Sequence, residues 1–167
     1  MEKFQELIGI SRKKIHIADH ILTQTYPMLQ DPRLLLAVVE NIFLALTNSI
    51  GSLLYYERLF KQIPPFHDNF SSKFNMFRAR CVAKYNFKKE HVQLVQDIRD
   101  IIANHKKSPV EFSRKDSFVI CSGGYNSMRA ISSVQIRDYI LKAKLFIHEI
   151  ERIVSDDDGL FTGRQRK

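Results

Sequence analysis

Apolar residues recur at three- and four-residue intervals from Phe4 through Leu7, Ile8, Ile15, Ala18 and Leu22. That spacing predicts a first helix from about Glu2 to Tyr26, ended by Pro27. Asp31-Pro32 is a helix start, an acidic cap followed by proline at the first helical position. The second helix then runs from Pro32 to about Lys61, where Pro64-Pro65 stops it. It is apolar nearly all round, as a helix covered on several sides should be. The loop Phe66–Phe70 follows. Ser71 or Ser72 caps a third helix reaching about Tyr85, and a fourth spans about Lys88 to Lys107, ended by Ser108-Pro109.

The period then changes. Val110, Glu111, Phe112 and Ser113 alternate apolar and polar, and Phe118-Val119-Ile120-Cys121 is a β-branched and aromatic run. Arg114–Asp116 and Ser122-Gly123-Gly124 are turns, and Met128–Ile131 adds a third short strand. Ser132 with Gln135 makes a capping box for a last helix from about Ser133 to Val154. The expected architecture is mostly α: a bundle of about five helices, with a small β-hairpin or meander over about 110–131 inserted before the last one. Residues 1–154 form one domain, and 155–167, with three consecutive aspartates and two glycines, read as a flexible tail.

Composition narrows the class. A chain of 167 residues with 44% hydrophobic and 26% charged residues can bury a single core. Its two cysteines, Cys81 and Cys121, sit in apolar surroundings and read as reduced thiols. No charged-then-apolar leader is read at the start. The charge-free stretch Asn41–Tyr56 is short for a membrane span and contains Asn41, Asn48 and Gly51, so it reads as a buried central helix. A cytoplasmic protein without a membrane contact is the expectation.

Candidate chemistry is sparse. There is no phosphate-binding glycine loop, CxxC pair or HExxH. His16 and His20 share a helix face, but Glu40 is the only further ligand in view, so no metal and no small-molecule cofactor is expected. Glu40, Asn41 and Asn48 read as residues that tie helices together or mark the edge of the buried stripe. The net charge of +8 favours polyanionic partners. Arg78, Arg80, Lys84, Lys88 and Lys89 cluster with interleaved Phe74, Phe77, Tyr85 and Phe87, and Lys106-Lys107 follow later. Cations for phosphates beside aromatics for stacking suit single-stranded RNA, although the aromatic spacing also fits core positions.

The fourth helix reads Arg99-Asp100-Ile101-Ile102-Ala103-Asn104-His105. This resembles the signature of the HEPN family, all-helical bundles many of which are metal-independent ribonucleases working as dimers. The likeness in helix order runs from about Glu2 to Val154. It implies an RNA-binding, ribonuclease-like homodimer in which His105 takes a ribose 2′-hydroxyl proton, Arg99 stabilises phosphate charge and Asp100 orients one of them. On an ideal helix Arg99 and His105 lie about 120° apart, so they converge only if the helix frays near Asn104 or across a two-fold axis. The residues themselves also fit a second reading, in which His105, Lys106 and Lys107 complement helix-end carbonyls and Arg99 is a solvated residue near Asp97 or Asp100. The alternative function is then a non-catalytic helical protein-interaction module.

Overall fold

Helix packing here is organised by one apolar helix that every other long helix touches. The computed structural model describes residues 1–107, 111–114, 116–121 and 128–164. Its elements are α1 (Lys3–His20), a π-helical turn (Ile21–Thr25), α2 (Tyr26–Leu29), α3 (Arg33–Leu59), α4 (Phe70–Arg80), α5 (Val82–Tyr85), α6 (Lys89–Lys107), β1 (Glu111–Arg114), β2 (Ser117–Cys121), β3 (Met128–Ser132) and α7 (Ser133–Arg164). The expected mostly α class with an inserted β unit is what the chain adopts.

The central helix is α3, packed on α1, α4, α6 and α7. Leu35, Val38, Ile42, Leu46, Leu53 and Leu54 are fully buried along it. By length and composition alone α3 is apolar enough to cross a membrane; half of that apolar window is buried inside the bundle, while Leu44 and Leu59 are exposed. Polar groups on α3 are satisfied locally: Asn41 and Asn48 donate to the carbonyls of Ala37 and Leu44 one turn back, at 2.8 and 2.7 Å. They mark the edge of the buried stripe. Serines do the tying. The Ser11 hydroxyl donates to Ala45 O at 2.7 Å and the Ser52 hydroxyl to Phe4 O at 2.6 Å, so α1 and α3 run antiparallel in close contact.

Four boundaries differ from expectation. Pro27 does not end the first helix. The π-helical turn before it resets the register, with Tyr26 N–H bonded to Ile21 O, so the chain continues helically to Leu29, and Gln30 in the left-handed region ends it. Helix α3 ends at Leu59, before the prolines. Lys61, at φ 56°, and Gln62 donate back to Arg58 O and Glu57 O, satisfying the terminal carbonyls in a Schellman arrangement. The third helix is capped by Asn69, whose side chain accepts from Ser72 N–H at 2.8 Å; it breaks at Cys81 and ends at Asn86, again left-handed. The segment expected to be a flexible tail is helical to Arg164, because nothing from 155 to 164 is proline and a glycine costs only about 1 kcal/mol in a helix. The Ser108-Pro109 stop and the Ser122-Gly123-Gly124 turn lie outside the described residues.

The three strands form one antiparallel sheet in the order β1-β2-β3, with Phe112 opposite Val119 and Phe118 opposite Ile131. Phe118, Ile120 and Ile131 join the helical core. The sheet is anchored by Asp116, which takes a left-handed turn at φ 52°. Its carboxylate accepts from the Tyr26 hydroxyl and, at 2.6 Å, from the Ser133 hydroxyl, which links α2, the β1–β2 turn and the start of α7. Ser132 accepts from Gln135 N–H at 3.2 Å, giving one half of the expected capping box, while the Gln135 amide turns to the Tyr139 hydroxyl.

Candidate nucleic-acid interface

Helix α6 presents Arg99, Ile102, Ala103 and Lys106 on one face, at spacings of three, four and seven. That face looks onto the start of α4 and onto Phe43 of α3, and the three elements enclose an open groove of ≈ 390 Å³. The Arg99 guanidinium lies over the Phe70 ring, 5.1 Å from its centroid, and donates to the Ser71 hydroxyl at 3.2 Å. Stacking plus a hydrogen bond fixes its position and leaves other N–H groups for an incoming acceptor. Lys106 is exposed two turns further on. Among the described residues no carboxylate lines this groove. Asn69, Phe70 and Ser71 at the start of α4 line it, and the first turn of that helix carries no acidic residue to offset the partial positive charge of a helix N-terminus.

The three residues of the Arg99–His105 motif do not meet within one chain. His105 faces the sheet, its ring 6.4 Å from that of Phe118. Asp100 accepts from Gln96 on its own helix at 3.0 Å, and Asp97 from Gln93 at 3.0 Å. Arg99 therefore neither pairs with those aspartates nor sits free on a solvated face; it reaches across to α4. Helix geometry separates it from His105, since α6 stays regular through Lys107.

The basic cluster divides into groups with different roles. Arg80, Lys88 and Lys89 are exposed and have no ion pair among the described residues. Arg78 is exposed and lies over Phe74, 5.4 Å from the ring centroid. Lys84 is committed elsewhere: it donates at 2.8 and 3.1 Å to both oxygens of Glu57, a buried carboxylate that also accepts from the Tyr85 hydroxyl. That cluster hooks α5 onto α3 and lines a hollow of ≈ 260 Å³. Burial and the neighbouring Glu57 charge push the Cys81 thiol up to about 12, so it is protonated and inert. The side chains of Lys107 and Cys121 lie outside the described residues.

Three of the four interleaved aromatics are core, and the fourth, Tyr85, is half-buried on Glu57. Phe74, Phe77 and Phe87 are buried in a row of ring contacts that continues to Phe146, the first pair stacked and the others tilted. The aromatic groups at the groove are instead Phe43 and Phe70, both half-buried, with ring centroids 5.4 Å apart. Residue pattern alone does not mark them, because Phe43 sits in an apolar helix and Phe70 in an expected loop. The only local signal was the Asn69 cap, which fixes where α4 begins.

His16, His20 and Glu40 are exposed, and no cluster of three metal-ligating side chains occurs among the described residues. One histidine is unlike the others. His91, at the start of α6, is 2% exposed, and neither ring nitrogen has a hydrogen-bond partner. Its ring meets the Phe146 ring of α7 edge-on at 6.2 Å. Burial lowers its pKa, against the opposing influence of Glu90 and Glu149.

Comparison with family models, with curated proteins and with solved structures finds no match to this chain.

Proposed function

We propose that this chain binds single-stranded RNA, with phosphates held in the groove between α3, the start of α4 and α6. One observation carries the reading: an open groove lined, among the described residues, by two cations, the start of α4 and half-buried aromatic rings, with no carboxylate. Anionic backbone suits such a lining because each cation contacted releases condensed counterions. Exposed Arg80, Lys88 and Lys89 extend the positive surface. A reduced, buried thiol and an RNA ligand both fit a cytoplasmic setting.

The test is fluorescence anisotropy with a labelled single-stranded RNA. Affinity should fall steeply between about 50 and 200 mM salt. Replacing Arg99 and Lys106 together by Glu should weaken binding at least about tenfold for all sequences alike, with unchanged circular dichroism. No binding by the parent at low salt would sink the proposal.

A ribonuclease on the Arg99–His105 motif has to be assembled from two copies, because the two side chains face different neighbours within one chain. This HEPN-like homodimer makes a sharp prediction. Arg99→Ala and His105→Ala should each abolish EDTA-resistant cleavage, and mixing the two inactive variants should restore part of it. Absence of cleavage by the parent leaves the binding reading standing alone. The competing reading, a protein-interaction module, is favoured by one feature: β1 and β3 are the outer strands of the sheet, and strand addition uses such edges.

A further inference from the structure

Phe70 divides two hollows. On its α6 side lies the cationic groove described above. On its other side lies a more enclosed hollow of ≈ 210 Å³, and Phe43, Asn69 and Phe70 are walls of both. We propose that this second hollow receives one nucleobase of a single-stranded RNA whose adjoining phosphate lies on Arg99 and Lys106. The inference rests on the RNA-binding reading and names the part of the ligand that the rest of the site takes.

The chemistry of the hollow argues for a base. Its walls are the rings of Phe43, Phe70 and Phe74 with Ile50, so a flat, apolar-faced group is accommodated. Its rim offers a mixed polar edge. The Asn69 side-chain Oδ1 accepts from Ser72 N–H, which leaves the side-chain NH₂ as a donor. The Thr47 hydroxyl gives its hydrogen to Leu44 O at 3.2 Å, which leaves its oxygen as an acceptor. Lys73 is held by Asp68 and lies 6.0 Å from the Tyr55 ring centroid, so the charges at the mouth neutralise each other. An uncharged group with donors and acceptors on one edge and π faces on both sides satisfies these walls. A free phosphate satisfies only the neighbouring groove. Continuity through the shared walls requires base and phosphate to be joined. Single strands meet this condition, since duplex bases stay stacked.

The test compares three RNAs of one length on the full chain: an intact single strand carrying one 2-aminopurine, the same strand with that base removed, and the duplex. The intact strand should bind about tenfold more tightly than the abasic strand, the scale expected of one stacked base. 2-Aminopurine fluorescence should change on binding, and the duplex should bind more weakly than the single strand. Thr47→Phe, which fills the hollow, should reduce intact-strand affinity to the abasic level. Equal affinity for intact and abasic strands, or unaltered fluorescence, overturns the base pocket and leaves the RNA reading in place. Failure of both single strands to bind at low salt removes the RNA reading and the pocket together. The two parent comparisons need no variant, so a misfolded Thr47→Phe does not decide the outcome.

Discussion

The seam between α1 and α3 and the groove between α3, α4 and α6 use the same central helix to opposite ends. At the seam, α3 offers Ala45, Ser49, Gly51 and Ser52, all buried. Small side chains let the backbones approach, and the serine hydroxyls of both helices reach across to carbonyls of the partner. A Cβ on Gly51 would stand 3.4 Å from Leu7 Cδ1, an ordinary van der Waals contact, so a methyl group is accommodated there. Along the groove and the hollow beside it, the same helix presents Phe43 and Thr47. The facing elements carry Phe70, Arg99 and Lys106, side chains too large and too hydrated to close up. One side of α3 is spent on stability, and the other keeps open a space with defined chemistry.

That contrast can be broken first at the seam. Gly51→Leu should cost about 1–3 kcal/mol by forcing apart α1 and α3, measured as a lower denaturation midpoint, whereas Gly51→Ala should be near neutral. RNA affinity of the folded Gly51→Ala protein should be unchanged. A destabilisation from Thr47→Phe as large as that from Gly51→Leu would erase the distinction between the two sides.

Removing the Ser52 hydroxyl comes next. Ser52→Ala should lose about 1 kcal/mol, the net worth of one buried hydrogen bond, again with no effect on RNA binding. A variant as stable as the parent would mean the seam is held by packing alone.

Acidity separates the regions at smaller cost. Burial between α6 and α7 disfavours the charged form of His91, with Lys88 and Glu90 near it on α6 or just before it and Lys142 and Glu149 on α7. Its folded pKa is below the usual 6.5, so its neutral-state contribution is complete above pH 6.5 and declines as pH falls beneath it. Asp116 acts lower. Hydrogen bonds from Ser133 and Tyr26 hold its carboxyl below 3.8, so its contribution persists above that value and is lost as pH falls further. Chemical denaturation across pH 4–7 should show a decline that His91→Leu flattens and Asp116→Asn leaves in place. An identical pH profile for His91→Leu and the parent would contradict this assignment.

The fold was legible where a pattern is local. Leu35 through Leu54 announce a covered helix, and the change of period at Val110 announces the sheet, with β2 found one residue from its expected start. Boundaries failed where backbone hydrogen bonding decided them. The π-helical turn that carries helix through Pro27 has no signature in residue type, and Lys61 in a left-handed cap is a choice a glycine would have announced. The site was legible only in part. Arg99 and Lys106 stand out by charge and motif, but Phe70, the partner of Arg99, is 29 positions before it, and in the sequence nothing separates Lys84, which the fold sets on Glu57, from Lys88. Such pairings depend on which helix faces which.

The most direct test of the groove's role is a map of amide and side-chain NMR shifts as single-stranded RNA is titrated into the isotope-labelled protein at low salt. The account predicts the largest changes at Asn69, Phe70, Ser71, Arg99 and Lys106, with Ser11, Ala45 and Ser52 at the seam and Lys84 on Glu57 unmoved. Shifts concentrated on β1 and β3 or along the seam, with Arg99 and Ser71 silent, would contradict it.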